Sequence, residues 1–246
     1  MPPPDLRLRA ADARELMDDP EADAETLART YRRFALVNTL LSGWRGLYRR
    51  RIRPLVRGRD VRLLDIGSGG GDIARSLAVW SARDATRSQV LAADADPRAT
   101  AWAAAWSAAQ GGPANVVYTT STSGALADAG ERFDVVVSNH LLHHLRDDEV
   151  ESVLADSRRL LRPGGLALHG DIARSPGAYT LFRLATWPFE RNLLRGTFIR
   201  ADGLTSIRRS YTAAELRALA PPGWRLRSAI PHRIVLLLGG DDDGRS

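Results

Sequence analysis

The 246-residue chain is 44% apolar and 26% charged, the composition of an ordinary globular protein, and its length suits one α/β domain with an appendage. No apolar stretch approaches the ~18 residues of a membrane-spanning helix, and the absence of cysteine excludes disulfides and thiolate chemistry. All 35 basic residues are arginine and the net charge is +6; a nucleic-acid or anionic-surface partner is weighed against a soluble enzyme solvated by arginine, and the second is preferred. The N-terminal stretch has no signal-peptide core, so a cytoplasmic location is expected.

In chain order, residues 1–5 are proline-rich and expected to be disordered, and residues 12–57 read as helices. In LARTYRRFALVNTLL the apolar positions Leu27, Tyr31, Phe34, Leu36, Val37, Leu40 and Leu41 recur at helical spacing, so residues 1–57 are assigned to a helical cap. A cluster of Arg45, Arg49, Arg50, Arg51 and Arg53 is either a wet helix face or a cover for an anionic headgroup. From residue 60 the pattern changes to short apolar runs at 61–66, 89–94, 115–118, 133–138, 165–171, 224–230 and 234–239. Helical windows separate them at Asp72–Ala82, Pro97–Ala109, Asp147–Leu161 and Thr212–Leu219. Alternating strands and helices predict an α/β fold with a parallel sheet of seven strands. Only Pro231–Arg233 join the last two runs, too few for a crossover, so those two form an antiparallel hairpin. The aromatic-rich connection at about 172–211 is too long for a plain loop and reads as a lid. The tail from Gly239 is expected to fray.

LLDIGSGGGDIA, residues 63–74, puts four glycines in five positions at the end of the first strand, where bare amides can lie against a ligand. As a dinucleotide fingerprint it fails, because Asp72 stands where the third glycine belongs and would repel a pyrophosphate. The pattern Asp65, Gly67, Gly69, Gly71 instead resembles the first motif of class I S-adenosylmethionine (SAM) methyltransferases. The resemblance implies a Rossmann-like domain over residues 58–246, with SAM as cofactor and S-adenosylhomocysteine (SAH) as product. It implies that Asp65, Gly67, Ser68, Gly69 and Gly71 border the amino-acid and ribose parts. It further assigns the ribose hydroxyls to Asp94, 29 residues on at the end of the second strand, with Ala95 and Asp96 near the adenine. Asp94 could alternatively cap the next helix, although Asp96, before Pro97, is the better cap. Family members often carry Gly-Asp-Ala after the third strand; here TTSTSGAL stands instead, so Ser121, Thr122 or Ser123 would contact adenine without a charge. SNHLLHHL, 138–145, places Asn139 and His140 beside the methyl donor by the same resemblance, and LRPGGLAL matches the start of the fifth strand. The likeness covers about residues 60–171 and the terminal hairpin. NTLLSGWRGLYRR and GLTSIRRSYTAAEL resemble segments of the ubiquinone/menaquinone biosynthesis methyltransferases.

These features imply methyl transfer to a small hydroxylated aromatic, a quinone precursor or polyketide, on oxygen rather than carbon. The alternatives are an RNA methyltransferase and a non-catalytic SAM-fold partner protein. A phenol has a pKa near 10, so a base working near neutrality would help, and histidine is the natural choice. His144 is the first candidate, followed by His140 and His232, while His169, mid-strand, reads as a core residue. His143 and His144, successive on a helix, would diverge by about 100°, so no metal is expected despite the H-x-x-H-H pattern. Tyr31, Phe34 and Trp44 from the cap, with Phe182, Trp187, Phe189 and Phe198 from the lid, are the expected walls of an apolar substrate pocket. The expected partner is thus a small apolar aromatic rather than nucleic acid, with transient contact at a membrane surface or a homodimer left open.

Overall fold

The computed structural model describes residues 4–41 and 43–240, with only the backbone course for 35–41. Expectations for residues 1–3, for the tail beyond 240 and for the side chains of Leu36, Val37, Leu40 and Leu41 lie outside the described residues. The chain begins as an extended strap with one 3₁₀ turn at Leu16–Asp18, and helix α1 starts only at Ala24 (Ala24–Leu41). This corrects the expectation of helix from residue 12. The N–H groups of Leu16 and Met17 are taken by the carboxylate of Asp202, at 2.7 and 3.0 Å, and so are withheld from a helix. Next, α2 (Trp44–Leu47) passes through a π-helical turn (Tyr48–Ile52) into α3 (Arg53–Val56).

Strands and helices then alternate: β1 (Asp60–Ile66), α4 (Asp72–Asp84), β2 (Arg87–Asp94), α5 (Pro97–Ala109), β3 (Val116–Thr120), α6 (Ser123–Asp128) and β4 (Phe133–Asn139). A 3₁₀ turn at Leu142–His144 leads to α7 (Asp147–Leu160) and β5 (Leu161–Ile172). The expected lid contains α8 (Pro176–Thr186), a short turn at Trp187–Phe189 and α9 (Ile199–Arg209); α10 (Ala213–Leu219), β6 (Arg225–Ala229) and β7 (Arg233–Gly239) complete the fold. No helix among the described residues is long and apolar enough to cross a membrane.

The sheet order is β3-β2-β1-β4-β5-β7-β6, with β7 antiparallel to both neighbours and every other pairing parallel. The apolar runs supply both faces, because successive strand residues point to opposite sides. Leu63 packs with Trp44, Ile52, Leu77, Val135 and Leu168 on one face. Leu64 packs with Leu126, Phe133, Val136 and Leu160 on the other. Trp44, 1% exposed, is therefore core beneath the sheet and not the pocket wall expected of it. From β1 the chain moves outward to β2 and β3, then returns to β4 on β1's other side. That reversal opens a crevice at the carboxyl ends of the strands, where such sheets bind ligands.

Candidate active site

The glycine loop stands at the mouth of this crevice. Gly67 has φ +64°, and a Cβ there would come within 2.7 Å of Leu141. Gly69 has φ +50° but faces open space, so its missing side chain leaves room for a ligand. Its N–H donates to Asp94 Oδ2 at 2.7 Å, and the N–H of Asp96 donates to Oδ1 at 2.9 Å. Asp94 thus ties the loop to the end of β2, with lone pairs remaining on both oxygens. Burial raises its carboxyl pKa despite those two N–H groups. Asp96 is the cap of α5, accepting the Arg98 N–H at 2.8 Å.

Two buried polar atoms here have no hydrogen-bond partner: Asp65 Oδ2 and Ser68 Oγ. Burial, with the carboxylates of Asp72 and Asp94 nearby, holds the Asp65 carboxyl well above its ordinary range. A cationic ligand would relieve both the repulsion and the orphaned oxygen. This donor set fits SAM, whose sulfonium and ammonium are positive and whose ribose offers two hydroxyls. Bound there, SAM supplies an electrophilic methyl group.

The loop lines a cavity of about 500 Å³. Ser121 and Thr122 reach it, but Thr122 Oγ1 accepts the Ala125 N–H as the cap of α6 and Ser123 Oγ donates to Asp156. Ser121 and the backbone remain to meet an adenine. Asn139 lines the cavity with Oδ1 held by Arg233 at 2.9 Å, and His140 adopts φ +58° with its N–H donating to the Gly170 carbonyl. Tyr31 and Phe34 of α1 and Phe182 of α8 form apolar wall, joined by Ile199 and Gly203 of α9.

The same cavity is also lined by Glu15, Asp18, His143 and His144, part of a cluster of carboxylates and imidazoles. Asp171, at the end of β5, accepts the His143 N–H at 3.0 Å and bonds His143 Nδ1 at 2.8 Å. His143 Nε2 lies 3.6 Å from Glu15 Oε1, and Glu15 Oε2 lies 3.8 Å from His144 Nε2. Asp18 Oδ2 is 3.2 Å from His144 Nδ1 and 3.2 Å from Arg209. Burial drives His143 down to about 4, a neutral ring. His144 goes the other way: burial lowers it, but Asp18 and Glu15 outweigh burial and raise it. His144 has Asp18 at Nδ1 and Glu15 Oε2 facing Nε2, so the role of base assigned to it from sequence falls within a group of proton-handling side chains and not on one ring alone. The two rings do not diverge, either; their centroids are 4.3 Å apart. Glu15, His143 and His144, and separately His140, His143 and Asp171, each bring three ligand atoms within 4.8 Å, and both sets depend on His143.

Several expected residues lie elsewhere. Besides Trp44, Gly71 is the N-cap of α4 and outside the cavity lining, and Trp187 and Phe189 are 68% and 46% exposed. Phe198 packs behind Tyr31 against Leu27 and Ala99. His232 is exposed in the β6–β7 turn against Ser175 and Gly177, removed from the cavity. His169 is buried on β5 as expected. Glu15, Asp18, Asp171 and Ser206 were not anticipated. Asp171 ends a strand in the pattern that singled out Asp94, but nothing local marks Glu15.

Fold, glycine loop and acidic cradle together have the arrangement of a class I SAM-dependent methyltransferase domain. The chain belongs to the methyltransferase-domain family, whose pattern matches residues 22–218. A ubiquinone biosynthesis O-methyltransferase of Cereibacter sphaeroides is 37% identical over 149 residues, 58% of this chain and 56% of that protein. One of Brucella ovis is 33% identical over 172 residues, 68% and 63% of the two chains. The chain thus spans little more than half the length of the first of these. Among solved structures, one from echinomycin biosynthesis superposes with a TM-score of 0.53 at 22% identity, covering 80% of this chain and 79% of its own. An O-methyltransferase family 2 protein of Planctomyces limnophilus gives 0.51 at 16%, covering 73% and 49%. Both share the fold.

Proposed function

We propose that the protein transfers the SAM methyl group to a hydroxyl oxygen of a small, largely apolar aromatic, a quinone precursor or polyketide phenol. The observation that carries this reading is one cavity lined by two unlike sets of residues. The first set is the glycine loop, Asp65 and Asp94; the second joins Phe34, Phe182 and Ile199 to proton-handling side chains. Asp94 would hold the ribose diol, Asp65 the cationic methionine portion, and Asn139 and His140 would border the reacting centre. Methyl transfer is an in-line displacement, so the chief task of the walls is alignment of acceptor and donor. The names of the curated relatives support oxygen as the acceptor atom. An apolar acceptor is also compatible with transient approach to a membrane surface, and neither reading needs nucleic acid.

Calorimetry with SAM, SAH and NAD, followed by mass spectrometry of phenols, catechols and hydroxyquinones incubated with SAM, tests the proposal. Tight SAH binding and one added methyl on an oxygen are expected. NAD binding tighter than SAH, or methylation of RNA but of no phenol, would overturn it.

A further inference from the structure

We infer that Glu15, contributed by the N-terminal strap, is the general base of the acceptor site, and that His144 carries the proton on to solvent. The inference rests on the reading of the chain as a hydroxyl methyltransferase. Glu15 precedes residue 22, where the family pattern begins.

The geometry selects Glu15 over its neighbours. Its side chain is 2% exposed yet lines the cavity shared with the glycine loop. Among the described residues the one hydrogen bond to its carboxylate comes from Ser206 Oγ, at 2.9 Å on Oε1. Oε2 therefore keeps its lone pairs for an acceptor hydroxyl. The groups that face Glu15 are His143 and His144 from the 3₁₀ turn, Ser206 and Arg209 from α9, and Asp18 from the strap itself. Each of the other candidates is already committed. Asp18 is paired with His144 and Arg209, and Asp171 with His143 and the Ile172 N–H. His143 is a weak base, its Nδ1 engaged by Asp171. His144 has Nδ1 engaged by Asp18 at 3.2 Å and turns Nε2 toward Glu15 Oε2 at 3.8 Å. Burial pushes Glu15 up to about 7, against the opposing pull of His144, which brings its carboxylate into the range of a base working near neutrality.

The step balances as follows. The acceptor O–H breaks and its proton goes to Glu15 Oε2; the oxygen's pair forms the O–CH₃ bond as the S–CH₃ bond breaks, and that pair stays on sulfur as a neutral thioether. Glu15 is then neutral, and its proton leaves through His144, 27% exposed at the cavity rim.

The test compares wild type with Glu15→Gln and Glu15→Asp on two acceptors, a simple phenol and a nitrophenol already ionised at neutral pH. Retained SAH affinity serves as the folding control. Glu15→Gln should lower kcat on the phenol by about 10²- to 10⁴-fold and on the nitrophenol by less than about threefold, with partial recovery in Glu15→Asp. The wild-type rate should rise through about pH 7, and this limb should vanish in Glu15→Gln. Independently of turnover, pH-difference infrared spectra of the SAH complex should contain a carboxyl C=O band lost across that range in wild type and absent from Glu15→Gln. Equal losses on both acceptors would mean a structural role. That result, a loss below about threefold on the phenol, or no such band would each overturn the inference. A wild-type enzyme that binds SAH but methylates no phenol, catechol or hydroxyquinone would instead overturn the acceptor reading, and the base with it.

Discussion

Asp94 shows how one carboxylate can serve structure and ligand at once. It holds Gly69 and Asp96 by their N–H groups and still has acceptor capacity for a diol. Asp94→Ala should weaken SAH binding by roughly 10- to 150-fold, the equivalent of about 1.5–3 kcal/mol for hydrogen bonds to a charged group. Calorimetry measures it, and Asp94→Asn should fall between. Glu15 and His143 make a second residue-scale prediction of opposite sign. His143 is depressed to about 4, so between there and its ordinary 6.5 the unfolded chain binds a proton that the folded chain refuses. Acidification through that window costs stability, and Asp171, held well below its ordinary 3.8, extends the loss to lower pH. Glu15 is raised from 4.5 to about 7, so its contribution is present at low pH and lost as pH rises through that range. Urea denaturation should therefore find that His143→Gln gains on wild type as pH falls from about 6.5 to 4. Glu15→Gln should gain as pH rises from about 5 to 8, each change by up to about 3 kcal/mol.

Among the elements, α8 and α9 carry the acceptor wall, and they pack closely because Gly203 lies under the Phe182 ring, where a Cβ would collide. Phe182→Ala should raise the acceptor KM by roughly tenfold, the effect of losing about 1.4 kcal/mol of apolar contact, while SAH affinity stays nearly unchanged. Trp187→Ala should leave both constants alone, since Trp187 is exposed. Steady-state kinetics on the pair separates wall from surface. The strands were legible because buried parallel strands are short continuous apolar runs, and the cofactor end because glycines and strand-terminal carboxylates are local signals. α9 was not, since IRADGLTSIRR carries a mid-helix glycine whose reason, Phe182, lies 21 residues upstream. Trp44 failed for a related cause: helical spacing reveals an apolar face but not which layer it meets.

For the molecule as a whole, the strap determines whether the acceptor end exists. Arg9 anchors it, donating to the carbonyls of Arg209, His143 and Leu145 and lying 3.8 Å over the Tyr211 ring. Arg9→Met should loosen the strap, leaving SAH affinity within about twofold while acceptor kcat/KM falls roughly tenfold or more. Kinetics and calorimetry on one preparation check both halves of this statement. No local pattern could have disclosed the strap, because its partners lie far along the chain.

That separation also has a cost in chain entropy. The contact between Gly69 and Asp94 closes 25 residues, whereas that between Glu15 and Ser206 closes 191. The longer closure costs about 2 kcal/mol more chain entropy on a logarithmic scale. The contacts of the cofactor cradle all lie within the stretch from β1 to the end of β4. Glu15 gains its Ser206 hydrogen bond only when α9, far along the chain, packs against the strap. The donor side of the cavity is thus closed by contacts near in sequence, and the proton-handling side by contacts far apart in sequence.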